Sequence, residues 1–196
     1  MEKQPSYSGK TLIRAFVAVS VPNPAAEILK DYVNSLKKLG NLRWVTNANF
    51  HMTLRFIGEQ TPECIAAIRQ ALTHIEFSPF EIELSYAGAF PNMSRPRALW
   101  LSGRQGMQNL KLLAENVNKH IDATGLSQDG RAFKPHLTLA RSDGTPLTNT
   151  LTKALENAPR VHWLCDTIHL IRSVLTPHGA QYSPIQSYRL EPVNNS

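Results

Sequence analysis

The sequence is poor in the residues and segments that mark several classes of protein. It has two cysteines in 196 residues, Cys64 and Cys165, which are too few for a cysteine-rich zinc site and are expected to be small buried residues. It has no apolar run approaching the roughly 20 residues of a membrane helix, and its polar N-terminus lacks the apolar core of a secretory signal. These absences predict a cytoplasmic protein that has no structural disulfide and does not enter a membrane.

The common signatures of metal and cofactor binding are also missing from the sequence. There is no His-Glu-x-x-His motif, no cluster of carboxylates and no pair of neighbouring cysteines, so no metal site is expected. There is no Gly-x-Gly-x-x-Gly motif and no P-loop, so no nucleotide cofactor is expected either. Any catalysis would therefore depend on the side chains of the protein alone.

Positive charge is in excess over negative charge. The formal net charge is +6 and the isoelectric point is about 9.5, values that suit a polyanionic partner such as RNA. The basic residues are scattered along the chain, and Lys37 and Lys38 form their adjacent pair. This distribution favours a small local anion site over an extended groove that follows many phosphates.

Strand and helix signals occur in the same order in the two halves of the chain. Apolar runs rich in β-branched residues predict strands, and apolar residues at helical spacing between capping and stop signals predict helices. The first half predicts a strand at 11–19, a helix from Asn23 to Gly40, a strand at 50–56, a helix from Thr61, and strands at 80–87 and 97–101 joined by a loop. The second half predicts a helix at 110–125, a strand at 135–140, a helix from Thr145, and strands at 167–174 and 182–190.

The halves share a motif as well as an order of elements. HMTLRFIGEQTP at 51–62 and HLTLARSDGTP at 136–146 each have His-x-Thr-Leu, then a glycine-bearing turn, then Thr-Pro at a helix start. No Pro/Ser-rich or charged linker separates the halves. We therefore predict one α+β domain over 1–196 with an internal repeat at roughly 11–87 and 97–190. Two antiparallel-rich sheets are expected to face a central cleft, with helices on the outer faces.

The repeated His-x-Thr pattern predicts a catalytic pocket. Side chains two apart in a strand project from the same face, so His51 and Thr53 share one face, as do His136 and Thr138. If the two halves face each other, two imidazoles and two hydroxyls meet in one pocket. One imidazole can then accept a proton while the other donates one, and the hydroxyls can bind phosphate oxygens. Short motifs match by chance, but recurrence in matching halves makes this hypothesis stronger than a structural role for each histidine.

Two arginines are candidates for a further phosphate contact. Arg55 lies four residues after His51, so alternation places it on the same face, although a solvated arginine at a strand end is an equal alternative. Arg141 lies five residues after His136, so it reaches the pocket only if the strand ends or bulges near Ala140.

Two aromatic residues are candidates for stacking on an RNA base, namely Phe16 and Phe133. Core packing is the alternative role for each of them.

These motifs resemble those of the 2H phosphoesterase superfamily, which is named for two His-x-Thr/Ser motifs. Within it, the sequence is most similar to the RNA 2′,3′-cyclic phosphodiesterases, also called 2′–5′ RNA ligases or LigT-like proteins. The resemblance covers nearly the whole chain and is carried by RAFVAV near the start, NFHMTLRFIGE around His51, FKPHLTLAR around His136, and SVLTPHGAQYSPIQSYRL near the end.

The resemblance implies that His51 is the proton donor and His136 the proton acceptor, with Thr53, Thr138 and Arg141 binding the phosphate. It implies hydrolysis of 2′,3′-cyclic phosphate ends of RNA, such as tRNA fragments or other oligonucleotides, to 2′-phosphomonoesters. Reversible 2′–5′ RNA ligation is implied as a secondary reaction. Neither a metal nor a cofactor is implied, and a monomer is expected.

Two other hypotheses remain open from the sequence. A non-catalytic module that binds RNA ends would show salt-dependent binding without turnover, and it would not depend on either histidine. The same chemistry on 2′–5′ oligoadenylate or another nucleoside cyclic phosphate is separable only by assays on a panel of substrates.

Overall fold

The computed structural model describes residues 11–127, 132–177 and 179–191. The strands are β1 (Ile13–Ser20), β2 (Arg43–Trp44), β3 (His51–Gln60), β4 (Phe80–Leu84), β5 (Tyr86–Phe90), β6 (Ala98–Ser102), β7 (Leu137–Arg141), β8 (Val161–Cys165), β9 (Thr167–Thr176) and β10 (Gly179–Arg189). The helices are α1 (Asn23–Lys37), α2 (Pro62–Leu72), α3 (Met107–Asp122) and α4 (Asn149–Leu155). The predicted α+β fold is confirmed.

Two four-stranded antiparallel sheets are assembled from strands of both sequence halves. Sheet A has the order β10-β9-β1-β3, and sheet B has the order β2-β7-β6-β5. Sheet A therefore combines β1 and β3 of the first half with β9 and β10 of the second, and sheet B combines β2 and β5 of the first half with β7 of the second and with β6, which lies at the boundary between the halves. The short strands β4 and β8 pair with each other in antiparallel orientation. The two halves of the sequence therefore do not form one sheet each.

Strand β1, one of the two inner strands of sheet A, is buried on both of its faces. Ala15, Val17 and Val19 belong to the main core of the protein. Phe16 and Ala18, which alternate with them, form a separate small cluster on the opposite face. We call this opposite face the cleft face of sheet A. On the other side, α3 lies against β3 and packs on α2.

The ends of several elements differ from the sequence predictions. The predicted strand at 80–87 is two strands, because the chain leaves the β4–β8 pair at Ser85, whose backbone N–H donates to the Ser102 carbonyl (2.9 Å), and continues as β5 in sheet B. The fourth helix begins at Asn149 rather than after Thr145, because the Thr148 hydroxyl accepts the Leu151 N–H as an N-cap. Strands β2 and β8 were not predicted from the sequence.

Three local features of the sequence can be compared with the structure. Thr61 caps α2 by accepting the Cys64 N–H (3.3 Å). Both cysteines are free thiols; Cys165 is buried as expected, and burial raises its pKa to about 12, whereas Cys64 is only partly buried. None of the helices in the described ranges has the length and apolar character needed to cross a membrane. His178, which lies in neither His-x-Thr motif, is outside the described residues.

Candidate active site

The two His-x-Thr motifs lie at the starts of corresponding strands in the two sheets. His51 is the first residue of β3, and His136 directly precedes β7. The intervening Met52 and Leu137 are fully buried in the main core, whereas both histidines are half-buried on the opposite side of their strands. Thr53 and Thr138 are half-buried as well. The predicted division between a polar face and an apolar face is therefore found at both motifs.

The imidazole of each candidate catalytic histidine forms a hydrogen bond with the backbone carbonyl two residues earlier. Nδ1 of His51 is 2.6 Å from the Asn49 carbonyl oxygen, and Nδ1 of His136 is 2.7 Å from the Lys134 carbonyl oxygen. A carbonyl oxygen only accepts hydrogen bonds, so Nδ1 carries a proton and donates it in both rings. This arrangement fixes the tautomer and leaves Nε2 of each ring for exchange of a proton with a substrate.

The electrostatics of the pocket couple the two histidines to Arg141. Burial lowers the pKa of His51, the hydrogen bond to Asn49 opposes this effect, and the positive charges of His136 and Arg141 lower the pKa further. The pKa of His136 is also lowered, first by burial and then by the charge of Arg141, against the hydrogen bond to Lys134. Because charges in a protein interact strongly only at short range, these mutual effects indicate that His51, His136 and Arg141 lie near one another.

A β-bulge in β7 brings Arg141 to the histidine face. Leu99 pairs with Ala140 and Trp100 pairs with Thr138, so Leu139 is an extra residue between them. An extra residue reverses the alternation of side chains beyond it. This meets the condition under which the sequence placed Arg141 in the pocket. Arg141 is exposed and forms no ion pair with any described carboxylate, so its guanidinium is available for an anion.

The corresponding bulge in β3 moves Arg55 away from the pocket. Val17 pairs with Arg55 and Ala18 pairs with Thr53, so Leu54 is the extra residue. The prediction that Arg55 shares the face of His51 is therefore wrong, and so is the alternative of a solvated arginine.

Arg55 is instead a buried structural residue that is 4% exposed. Its guanidinium donates to Asn118 Oδ1 (3.1 Å), to Asp122 Oδ1 (2.9 Å) and to the Leu126 carbonyl (2.9 Å). These hydrogen bonds connect β3 to the last turns of α3 and to Leu126 beyond the end of that helix.

Aromatic side chains surround both histidines. The His51 ring lies 4.9 Å from the Phe16 ring and 5.3 Å from the Tyr182 ring, between centroids, with Tyr182 approaching edge-on. The His136 ring lies 5.0 Å from the Phe90 ring, also edge-on. Phe16 was a candidate from the sequence, but Tyr182 and Phe90 were missed. Tyr182 reaches the site through sheet pairing, and Phe90 fell in a predicted loop.

The two aromatic candidates from the sequence have different surroundings. Phe16 is 4% exposed and packs behind His51, so it supports the imidazole and offers little surface to a base. Phe133 packs partly buried against the main core, which agrees with the structural alternative given for it. In the described part of the chain, no group of three or more histidine, cysteine or acidic residues is arranged to hold a metal ion.

Known proteins resemble this chain in sequence and in fold. Residues 21–176 match the family model of the 2′-5′ RNA ligase superfamily. An RNA 2′,3′-cyclic phosphodiesterase of Aeropyrum pernix is 35% identical over 74% of this chain and 84% of its own length, and one of Archaeoglobus fulgidus is 30% identical over 90% and 99%. The crystal structure of E. coli LigT complexed with 3′-AMP has a TM-score of 0.75 and 26% identity, covering 92% of this chain and 99% of LigT. The chain therefore belongs to the 2′-5′ RNA ligase superfamily.

Proposed function

We propose that this protein hydrolyses 2′,3′-cyclic phosphate ends of RNA to 2′-phosphomonoesters, with His51 as the proton donor and His136 as the proton acceptor. The observation that carries the proposal is the pairing of two imidazoles, each with its tautomer fixed through Nδ1, beside one unpaired guanidinium. The names of the relatives from Aeropyrum pernix and Archaeoglobus fulgidus support the same substrate class.

The reaction would begin when a cyclic phosphate enters the cationic pocket. Before it binds, His136, Arg141 and burial all disfavour the charged form of His51. A bound phosphate brings a negative charge, which raises the pKa of both imidazoles and allows one of them to be protonated. Arg141 can donate to the non-bridging phosphate oxygens with two N–H groups, and the hydroxyls of Thr53 and Thr138 can each donate one hydrogen bond.

Proton transfer would then accompany in-line displacement at phosphorus. His136 Nε2 accepts a proton from the attacking water as the new P–O bond forms. His51 Nε2 gives its proton to the ribose 3′ oxygen as the P–O3′ bond breaks, so the oxygen leaves as a hydroxyl rather than an alkoxide. The product keeps its phosphate on the 2′ oxygen. Exchange of the two protons with solvent restores the starting state.

The same groups would support 2′–5′ ligation when a ribose 5′-hydroxyl attacks the phosphorus in place of water. The reverse reaction, in which the 5′-hydroxyl leaves, would cleave the 2′–5′ linkage. Water is present at bulk concentration, so hydrolysis is the main reaction proposed here. Both histidines come from one chain, so a monomer suffices for the chemistry. The mechanism uses neither a metal nor a cofactor.

The test is incubation of the protein with a nucleoside 2′,3′-cyclic phosphate in the presence of EDTA, followed by identification of the product isomer. We expect full activity in chelator and a 2′-phosphomonoester as the product. A 3′-phosphomonoester would contradict the roles of donor and acceptor. RNA binding without turnover would favour the binding-module hypothesis, and turnover confined to 2′–5′ oligoadenylate would reassign the substrate.

A further inference from the structure

A polar row crosses the cleft face of sheet A beside the motif of β3. Thr53 pairs with Ala18, Ala18 pairs with His169 on β9, and His169 pairs with Ser187 on β10. The side chains of the last two are joined, since His169 Nδ1 lies 2.8 Å from Ser187 Oγ. The mechanism above uses neither of these residues.

Burial on the two sides of β9 shows that His169 faces the cleft. Its neighbours Ile168 and Leu170 belong to the main core, on the helix side of the sheet. Ile171, two residues after His169, packs with Phe16 and Ala18 on the cleft face. Because side chains alternate along a strand, His169 points to the same side as Ile171.

The row continues to an arginine at the edge of the sheet. Arg189 lies two residues after Ser187 on β10 and pairs with Thr167, while Tyr188 between them is buried in the main core. Ser187 and Arg189 are both exposed, and no described carboxylate forms an ion pair with Arg189. The Asp166 carboxylate lies in the same region, where it accepts a hydrogen bond from Thr167 Oγ1 (2.9 Å) and its negative charge acts on His169.

The position in sheet B that corresponds to Ala18 in sheet A carries a large side chain. Trp100 pairs with Thr138 there, just as Ala18 pairs with Thr53, and Gly88 pairs with Trp100. A Cβ atom added to Gly88 would collide with the Trp100 ring, so the indole packs directly on that glycine. Sheet B thus has an indole where sheet A has Ala18 and an accessible imidazole. The pseudo-symmetric pocket therefore has its polar extension on the sheet A side.

We propose that His169, Ser187 and Arg189 bind the phosphates of the nucleotides on the 5′ side of the cyclic phosphate, making the end of an RNA strand a better substrate than a mononucleotide. This inference rests on the proposed function. Neighbouring strands are about 4.8 Å apart, so β9 and β10 lie about 10 Å and about 15 Å from β3. An RNA strand that leaves the pocket across the sheet would meet these residues in turn.

The chemistry of the row fits phosphodiester oxygens. The Ser187 hydroxyl can donate to His169 Nδ1, which leaves the His169 Nε2–H to donate to a phosphate oxygen. Arg189 adds a cation at the exposed edge of the sheet, where a guanidinium can hold a phosphate with two hydrogen bonds.

The test compares kcat/KM for a nucleoside 2′,3′-cyclic phosphate with kcat/KM for a short oligoribonucleotide ending in the same group. We expect the oligonucleotide to be preferred. Arg189→Gln should reduce the ratio of the two values about 3- to 5-fold, as expected for one partly exposed ionic contact. It should also reduce the slope of log kcat/KM against log salt concentration for the oligonucleotide by about 0.7.

Two further variants make the result specific. Arg172→Gln is the matched control. Arg172 is an exposed arginine of β9 that pairs with Ala15, so its side chain lies on the face of sheet A opposite the cleft face. It should leave the ratio and the salt slope unchanged. His169→Asn should lower the ratio, because it shortens the donor that faces the phosphate.

Equal kcat/KM for the two substrates in the unmodified protein would overturn the inference, as would an Arg189→Gln variant whose ratio matches that of Arg172→Gln. These outcomes are distinct from failure of the proposed function, in which neither substrate is hydrolysed by the unmodified protein.

Discussion

Leu54 and Leu139 occupy the same place in the two halves of the protein, each as the extra residue of a β-bulge directly after a motif threonine. The bulges reverse the side-chain alternation after each His-x-Thr motif. In β7 the reversal turns Arg141 toward the histidines, and in β3 it turns Arg55 into the core. The following residue of β3, Phe56, corresponds to Arg141 and is 69% exposed. Two nearly equivalent strands therefore place one arginine, Arg141, on the face that carries the motif histidines.

Arg141→Gln should lower kcat/KM for a 2′,3′-cyclic phosphate about 10- to 100-fold. The substitution removes charge-assisted hydrogen bonds worth about 1.5–3 kcal/mol while keeping a polar side chain of similar length. Steady-state kinetics would measure the effect. Arg104→Gln, at an exposed turn before α3, is the matched control and should keep the parental rate. Equal rates for the two variants would remove Arg141 from the site.

Arg55→Met should destabilise the protein by about 2–4 kcal/mol. It breaks a buried ion pair and two further hydrogen bonds, although Asp122, with its side chain 44% exposed, can regain water and so limits the loss. Urea unfolding would measure the free energy of unfolding.

The same variant separates structural from catalytic arginines. Below its unfolding temperature, Arg55→Met should retain a kcat close to that of the parent, in contrast to Arg141→Gln. Loss of kcat in a fully folded Arg55→Met protein would contradict a purely structural role for Arg55.

The pH profile of kcat/KM should be bell-shaped, with both limbs displaced below pH 6.5. This parameter reports the free enzyme, in which the pKa of His51 and that of His136 are both lowered. The acid limb reflects protonation of the acceptor, and the alkaline limb reflects loss of the proton from the donor. Because Arg141 lowers both pKa values, Arg141→Gln should move both limbs toward higher pH. Limbs that stay in place in this variant would show that Arg141 is not close to the two imidazoles.

Asn49→Ala should lower kcat about fivefold. The Asn49 carbonyl holds His51 Nδ1, and its side-chain amide donates to the Ala180 carbonyl in β10 (3.0 Å). Loss of this amide hydrogen bond, worth about 1 kcal/mol, frees the backbone that orients the imidazole. Asn47→Ala, two residues earlier and exposed, is the matched control and should change kcat little. If both variants behave alike, the link from Asn49 to β10 does not orient His51.

The sequence was sufficient for the faces of the two histidines and threonines because each pair precedes its bulge, where simple alternation still holds. Beyond the bulge, simple alternation predicted the wrong face for Arg55. For Arg141 it predicted the histidine face only if the strand ended or bulged near Ala140. A bulge depends on pairing with the neighbouring strand, and that partner is not encoded in the local pattern of apolar residues.

The exchange of strands between halves was also beyond local reasoning. The repeated order of elements does not show which strands pair, so β9 in sheet A and β5 in sheet B emerge only from the structure. This pairing is what brings Tyr182 to His51 and Phe90 to His136. The scattered basic residues likewise suggested only a local anion site, whereas strand pairing aligns His169, Ser187 and Arg189 into a row.

The most direct test of the account is a double-mutant cycle of His51→Ala and His136→Ala, assayed for kcat on a nucleoside 2′,3′-cyclic phosphate in EDTA. Each single variant should lose about 10²- to 10⁴-fold in kcat. The double variant should have a kcat only slightly below that of the less active single variant, because we expect the two imidazoles to act on one phosphorus atom as a unit. His74→Ala, at an exposed position after α2, should keep the parental rate. Full activity in either single variant, or independent and multiplicative losses in the double variant, would contradict the two-histidine mechanism.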